Sequence, residues 1–460
     1  MNNVIRTPLL VMAGVESLIL YSSMYVGGIV VFGSIADCET SLGPLAPRAA
    51  TVSGIILVSL IAMGLYQFHQ RMRYGEAVIR VVAGVLAGCI VVGALLYVLP
   101  ASVVTQEVAG IAITYSLAML FAVRFFFVRT VDKNAFRRRT LIFGAGERAA
   151  SISDLRRKAD RRGFQIVGKI APEGDIIVGD DQVMMTNGKS IADIAVQTEA
   201  DEIVVAMDDR RGKLPIRELL DTRLKGIEVI DLLEFLERET GKIRVDLVRP
   251  GWLIFSSGFR TSRVRRFNKR LVDMVASATL LLVTWPLILF VALAIKIEDG
   301  LHAPIFYRQL RMGRSNEPFL VLKFRSMAEN AESDGEAVWA TAEDIRVTRV
   351  GKWLRMFRVD ELPQVLNVLR GQMSFVGPRP ERPEFVENLK ETIPYYSERH
   401  VLRPGVTGWA QLNYGYGASE EDAIEKLQYD LYYVKNQSLM LDILIILQTV
   451  EVVLWGKGAR

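Results

Sequence analysis

The sequence predicts a membrane α-helical bundle followed by two α/β domains, on three observations. Long apolar runs fill the first 130 positions, and further runs lie near 280 and 445. Between about 140 and 250, short apolar runs alternate with charged helical stretches, the rhythm of a parallel sheet with crossover helices. From 261 onward the chain is dense in Arg, Lys, Asp, Glu, Gly and Pro, apart from one long apolar run. The resulting limits are 1–130, 131–260 and 261–460, and 460 residues suit roughly three domains.

Composition narrows the chemistry. Half of the residues (50%) are hydrophobic and the formal net charge is +5. A basic excess suits nucleic acid, anionic lipid or phosphorylated substrates. Here the basic clusters abut apolar runs and no nucleic-acid-binding motif is present, so lipid surface and phosphates are expected and nucleic acid is not. Two cysteines, Cys38 and Cys89, cannot build a disulfide framework or a structural zinc site. With only His69, His302 and His400 available, chemistry must rest mainly on carboxylates, Lys and Arg.

Four stretches, about 9–33, 51–68, 79–99 and 107–128, approach the ~20 apolar residues that a bilayer crossing needs. No cleavable signal pattern precedes the first. Arg71, Arg73 and Arg80 separate the second and third, and Arg129, Lys133, Arg137, Arg138 and Arg139 follow the fourth. The alternate loops carry only Arg48, so both ends of the bundle are expected in the cytoplasm.

In the middle domain, strands are expected at Thr140–Phe143, Gln165–Ile170, Glu202–Ala206 and Ile227–Ile230. The turn Gly144-Ala145-Gly146-Glu147-Arg148-Ala149 follows the first and opens a helix, as in Rossmann-like (CoA-binding-like) folds, where such amides hold a pyrophosphate. The acidic residue expected after the second strand is missing, because that strand runs into Lys169-Ile170-Ala171-Pro172. A degenerate Rossmann-like domain with a structural or regulatory role is therefore expected.

The fifth apolar run, about 271–297, carries Asp273 near its start and Trp285-Pro286 at its middle. Arg263, Arg265, Arg266, Lys269 and Arg270 precede it, and Arg308, Arg311 and Arg314 follow. Cations on both flanks place both ends on one side of the membrane. A mid-helix proline removes a hydrogen bond and clashes with the preceding turn, so a helix–break–helix that re-enters one leaflet is expected.

The remaining residues hold the candidate chemistry. The strand Phe319–Phe324 leads into Lys323-Phe324-Arg325, where Lys323 and Arg325 would share a face, suiting a diphosphate. Pro363, just before Val365–Leu369, puts Asp360 near a helix N-terminus, where dipole and amides would hold it ionised. An ionised Asp among phosphate-binding cations is a nucleophile toward phosphorus, but the same spacing fits a plain N-cap, and spacing leaves both open. Glu361 points elsewhere and could help hold Mg²⁺, which takes oxygen ligands. Arg355 precedes the pair, and two stiff loops, Ser374–Glu381 and Arg403–Gln411, present Arg379 and Arg403 to phosphate or form tight turns. The run Leu439–Trp455, interrupted by Asp442, Gln448 and Glu451, is expected to lie on the membrane or against the core.

At these residues the chain is similar to the bacterial sugar transferase family, the monotopic phosphoglycosyl transferases. The likeness runs through Lys269-Arg270, the Pro-bearing helix, Pro304–Gln309, Lys323–Met327, Asp360–Gln364, Val376–Glu381 and Arg403–Gln411. The upstream domains resemble long-chain members, such as undecaprenyl-phosphate glucose or galactose phosphotransferases and exopolysaccharide-associated transferases. The resemblance implies that Asp360 attacks the β-phosphorus of a UDP-sugar, releasing UMP and leaving a sugar-phosphoryl-aspartate. Polyprenyl (undecaprenyl) phosphate then accepts the hexose phosphate, the first membrane step of exopolysaccharide, capsule or O-antigen synthesis. It further implies Glu361 as Mg²⁺ ligand, alone or with Asp360, or as acid–base partner, and Lys323, Arg325, Arg355, Arg379, Arg403 and Gln364 as substrate contacts. A homodimer in the bacterial inner membrane, its catalytic domain on the cytoplasmic face, belongs to the same implication. One departure is Trp285 before Pro286, where short members have Ser.

Two other readings compete. A membrane-bound nucleotide-sugar dehydratase would need a second Gly-rich loop and a Tyr-x-x-x-Lys pair, and no Tyr here has Lys four residues later. A non-catalytic scaffold or nucleotide sensor would leave the Asp-Glu pair and arginine loops without a purpose.

Overall fold

The N-terminal apolar runs fold as helices, because a backbone withdrawn from water must satisfy its N–H and C=O groups internally. The computed structural model describes residues 7–63, 65–66, 74–98, 105–130, 137–155, 163–172, 176–178, 183–184, 188–211, 213–248, 250–256, 258–259, 262–327, 346–415, 417 and 419–455. The first helices are α1 (Thr7–Phe32), α2 (Ile35–Leu42), α3 (Leu45–Ala62), α4 (Tyr74–Val98) and α5 (Gln106–Thr130). The short α2 is capped by Ser34, which accepts from Asp37 N at 3.1 Å. The second apolar helix begins at Leu45 rather than about 51, because Pro44 sets its start. Among the described residues, α1, α3, α5 and a later helix, Arg263–Asp299, are long and apolar enough to cross a membrane, whereas the apolar part of α4, Val78–Gly93, is shorter.

Leu20, Ile56, Leu60, Val81, Val85 and Leu120 form the bundle's buried cluster. A Cβ on Gly84 would lie 2.8 Å from Leu60 Cδ2, and one on Gly88 2.9 Å from Ile56 Cγ1, so small residues four apart let α4 approach α3 closely. Glu16, fully buried, pairs with Arg124 at 2.8 Å, and the Tyr66 hydroxyl donates to the same carboxylate. Arg80 is not the loop cation that the sequence suggested. It is buried within α4 and donates to Met63 O at 3.0 Å, reaching a carbonyl at the end of α3. Arg71, Arg73 and Lys133 lie outside the described residues.

The middle domain is a parallel sheet in the order β3-β2-β1-β4-β5, with β1 Arg138–Phe143, β2 Phe164–Ile170, β3 Val183–Met184, β4 Glu202–Val205 and β5 Glu228–Asp231. All four expected strands are present. Helices α6 (Glu147–Ser153), α7 (Ile191–Gln197), α8 (Ile216–Leu224) and α9 (Leu232–Thr240) complete it. The Gly-rich turn does open α6, but the Asp208 carboxylate already accepts Glu147 N at 3.0 Å and Arg148 N at 2.9 Å. A Cβ on Gly146 would fall 1.8 Å from Asp208 Oδ2. Gly146 is thus needed for an internal carboxylate, which sits where a pyrophosphate would otherwise bind.

The chain divides into compact units at Thr240/Gly241. Residues 241–243 join the second unit: Trp409 Nε1 donates to Gly241 O at 2.8 Å, and Ile243 N to Gln428 O at 3.0 Å. After α10 (Pro250–Phe255) comes α11 (Arg263–Asp299), then an antiparallel hairpin, β6 (Phe306–Met312) and β7 (Pro318–Phe324), with Tyr307 opposite Lys323. Helices α12 (Arg349–Met356) and α13 (Gln364–Arg370) precede the parallel pair β8 (Ser374–Val376) and β9 (Gly405–Thr407), with α14 (Pro383–Thr392) between these strands. Helices α15 (Trp409–Asn413), α16 (Glu420–Asn436) and α17 (Leu439–Trp455) end the unit. Leu441 and Ile445 of α17 are buried, and Asp442 accepts from Tyr433 Oη at 2.6 Å and pairs with Lys269 at 2.9 Å, so α17 lies against the core.

The expected break at Trp285-Pro286 is absent, and α11 is helical through Pro286. Proline deletes only one donor, and Thr284 Oγ1 donates to Leu280 O at 2.7 Å, a back-bond that accommodates local bending without ending the helix. Both ends of α11 are anchored on the same unit. At the N-terminal end Arg270 donates to Val368 O and Leu369 O, and Asp273 accepts from Ser374 Oγ and Phe375 N. At the other end Val291 and Ile295 bury against Phe324 and Leu354. Between these anchors most apolar side chains, including Met274, Leu282, Trp285 and Phe290, are exposed.

Candidate active site

The site is assembled on the turn between α12 and α13. Arg358 takes a left-handed backbone (φ 52°), strain of about 1 kcal/mol or more for a residue with a Cβ, and reverses the chain into a 3-10 turn, Val359–Glu361. Pro363 then opens α13. Asp360 therefore stands on its own turn ahead of the helix instead of capping it.

The two carboxylates are driven apart. Burial opposes ionisation of Glu361, but the Arg379 and Lys323 cations outweigh it and hold the carboxyl at about 2. Arg379 meets Glu361 Oε1 at 2.8 Å and Lys323 Nζ meets the same oxygen at 4.0 Å. Asp360 moves the other way: burial and the neighbouring Glu361 charge push it up, against Lys323, Arg355 and Arg379. Desolvation and a like charge one residue away thus act on Asp360 against the lowering that a helix dipole alone would give. Among the described residues no hydrogen bond or ion pair engages the Asp360 carboxylate.

Lys323 projects from β7, where burial lowers its pKa, Glu361 holds it up, and Arg379 and Arg311 push it down further. Arg355, in the last turn of α12, donates Nε to Ser326 Oγ at 3.0 Å. Arg379 is fixed through its backbone: Arg399 donates to Arg379 O at 2.8 Å and pairs with buried Asp430 at 2.8 Å. Arg399 also donates to Tyr396 Oη at 2.8 Å.

Lys323, Arg355 and Arg379 therefore join Asp360 and Glu361. Arg325 does not join through strand alternation, because β7 ends at Phe324; its guanidinium turns to Asp299 at 3.7 Å and Met327 O at 3.0 Å. Gln364 is buried in the first turn of α13, with no hydrogen bond to the pair among the described residues. Arg403 lies elsewhere, beside Arg270 and Arg314. Sequence reasoning missed Arg311, Ser326, Arg399 and Asp430. Arg311 was accessible in principle, since Tyr307, Gln309 and Arg311 alternate on β6, and Tyr307 pairs with Lys323. The arrangement offers one open carboxylate beside cations placed for phosphate oxygens.

Residues 264–456 match the profile of a family described as bacterial sugar transferase. Over 253 residues the chain is 41% identical to the UDP-N-acetylgalactosamine-undecaprenyl-phosphate N-acetylgalactosaminephosphotransferase of Aeromonas hydrophila, covering 55% of this chain and 58% of that one. Over 354 residues it is 35% identical to the UDP-glucose:undecaprenyl-phosphate glucose-1-phosphate transferase of Klebsiella pneumoniae, covering 74% of this chain and 72% of that one. The Escherichia coli K12 protein of the same name is 35% identical over 301 residues, 63% of this chain and 61% of its own length.

Proposed function

This chain belongs to the bacterial sugar transferase family, and on that premise we propose that it moves a hexose 1-phosphate from a UDP-sugar to undecaprenyl phosphate. The observation that carries the reading is the contrast within the pair: Glu361 is held by two cations, while among the described residues no hydrogen bond or ion pair engages Asp360.

Asp360 Oδ attacks the β-phosphorus, the bond to the UMP oxygen breaks, and UMP leaves with the electron pair. A sugar-phosphoryl-aspartate remains. An oxygen of undecaprenyl phosphate then attacks the same phosphorus, forming undecaprenyl-diphosphate-sugar and returning Asp360 as carboxylate. Lys323, Arg355 and Arg379 supply fixed positive charge to the oxygens that gain charge as the bonds change, where preorganised cations act most strongly. A carboxyl pushed upward is also the more basic nucleophile.

Mg²⁺ fits this donor set, since it commonly takes one or two carboxylates plus substrate phosphates and water. Both cation contacts to Glu361 fall on Oε1, which leaves Oε2 and Asp360 as the protein oxygens that would hold the metal. When bound, it would neutralise charge on the diphosphate.

The same premise gives the membrane arrangement. Helices α1, α3, α4 and α5 cross the bacterial inner membrane, and α11 re-enters one leaflet with the catalytic unit on the cytoplasmic face. Support comes from the anchors of α11: its two flanks, Arg270 and Asp273 at one end and Val291 and Ile295 at the other, pack on one unit. We propose a homodimer as well, which mass photometry of nanodiscs tests.

To test the chemistry, the full chain in nanodiscs is given a panel of UDP-sugars, with and without undecaprenyl phosphate, and UMP release and intact protein mass are read. Donor alone should add the mass of one sugar phosphate, carrier should remove it, and D360N should show neither. UMP release that survives in D360N would sink Asp360 as nucleophile.

A further inference from the structure

Arg403, singled out in the sequence but left outside the active site, belongs to a cationic group of its own. Arg270, in the last turn before the apolar part of α11, donates to Val368 O at 2.6 Å and Leu369 O at 2.7 Å. Arg314, at the tip of the β6–β7 hairpin, donates to Val401 O at 3.2 Å, two residues from Arg403. Backbone ties bring Arg270 and Arg403 together through Ser374: its N–H donates to Pro404 O at 2.8 Å, and its hydroxyl to Asp273 at 2.9 Å, one turn from Arg270. No ion pair joins any of the three arginines to a carboxylate among the described residues, and Arg403 has no hydrogen-bond partner among them. Asp273, the nearest acid, is buried and already accepts Ser374 and Phe375. Burial and the like charges of Arg270 and Arg314 push the Arg403 guanidinium below its ordinary range, as concentrated positive charge would.

We propose that Arg270, Arg314 and Arg403 form a second anion site, which takes the phosphate of a membrane lipid. Guanidinium forks match phosphate oxygens, and three together exceed the requirement of a helix C-cap, which Arg270 alone meets. The apolar stretch of α11 begins at once beyond Arg270, with Leu271, Met274 and Val275 exposed, so a phosphate here has its alkyl chains beside apolar side chains. The site is separate from the reaction centre. Arg270 binds the C-terminal carbonyls of α13, whereas Asp360 precedes its N-terminus, about 10 Å of helix away. The proposal rests on the membrane embedding of α11, but not on chemistry at Asp360.

The test is native mass spectrometry of the full detergent-solubilised chain, titrated separately with phosphatidylglycerol, undecaprenyl phosphate and inorganic phosphate. Arg314 and Arg403 are replaced together (R314Q with R403Q), leaving Arg270 to cap α13, and R217Q in the middle domain serves as a charge control. The double variant should need about tenfold more of at least one lipid for equal occupancy, since charge-assisted contacts are lost, while R217Q matches the parent. A change confined to phosphatidylglycerol would identify a bilayer headgroup site, and one confined to undecaprenyl phosphate a carrier site. Equal lipid occupancy in a double variant of unchanged melting temperature, an equal fall in R217Q, or a response to inorganic phosphate alone would overturn the proposal. The sugar-phosphate adduct formed from donor alone, which needs no lipid, reports on Asp360 separately from each of these outcomes.

Discussion

Replacing Glu361 by Gln tests the electrostatics of the site without touching the nucleophile. The carboxyl stands at about 2 against an ordinary 4.5, with Arg379 and Lys323 overcoming its burial. At about 1.4 kcal/mol per pKa unit, its ionised form contributes roughly 3 kcal/mol to the folded state at neutral pH. E361Q loses that term and leaves the partly buried Arg379 and Lys323 without their anion, so a destabilisation of ~3 kcal/mol is expected. The carboxyl is depressed, so the contribution is complete above about 4.5 and fades as pH falls toward about 2. All six tryptophans (Trp252, Trp285, Trp339, Trp353, Trp409 and Trp455) lie in the C-terminal unit, so intrinsic fluorescence reports its melting alone. For a unit of this size the drop at pH 7 is roughly 6–12 °C. The gap to the parent should narrow as pH is lowered from 4.5. D360N should melt no lower than the parent, because Asp360 is raised and its charge opposes folding at pH 7. An E361Q protein melting within 2 °C of the parent, or a gap independent of pH, would refute the reasoning.

Other outcomes follow from the same contacts. K323M should lower kcat/KM for the UDP-sugar by roughly 10–100-fold, the loss of one charge-assisted phosphate contact, as read by UMP release. Asp430, raised to about 6 by burial against the pull of Arg399, should lose its charge as pH falls through 6 and loosen the hold on the Arg379 loop. The parent's activity should then show an acid limb near pH 6, and D430N should be slow throughout with that limb missing. G146A should destabilise the middle domain, since its Cβ would overlap the Asp208 carboxylate, yet leave the UMP-release rate per folded molecule intact. Limited proteolysis between residues 137 and 240 reads the first effect.

Much of this fold was legible because its signals are local. Periodicity gave the four strands of the middle domain to within two residues, since a buried parallel strand is a short apolar run between charged helices. Charge and turn chemistry marked the Asp-Glu pair, Lys323 and Arg379 as candidates, while Arg355 came from the family resemblance. What escaped depends on partners distant in sequence. Asp208 plugs the Gly-rich turn from 61 residues away, and Asp299 draws off Arg325. The upward shift of Asp360 arises from burial, which spacing along the chain does not encode. Arg80 misled because a cation near the start of an apolar run looks like a loop charge until a helix end offers it a carbonyl.

Helix α12 joins the two demands on this site. Leu354 is buried, Arg355 faces Ser326 and helps keep Asp360 ionised, and Trp353, Met356 and Phe357 are exposed on the remaining face, with Trp353 and Phe357 rings 4.9 Å apart. Large exposed aromatics in a row are costly in water and favourable at a bilayer interface, where Trp concentrates. The reactive turn follows immediately, so whatever seats α12 on the membrane also fixes the height of Asp360 above it. A soluble diphosphate donor can reach that height from the cytoplasm, and a lipid phosphate can reach it only from the bilayer surface. On the proposed reading one carboxylate, Asp360, serves both in turn. That reading would account for Asp360 standing on a short strained turn between a helix with exposed aromatics and a buried one, in the unit that anchors α11 at both ends.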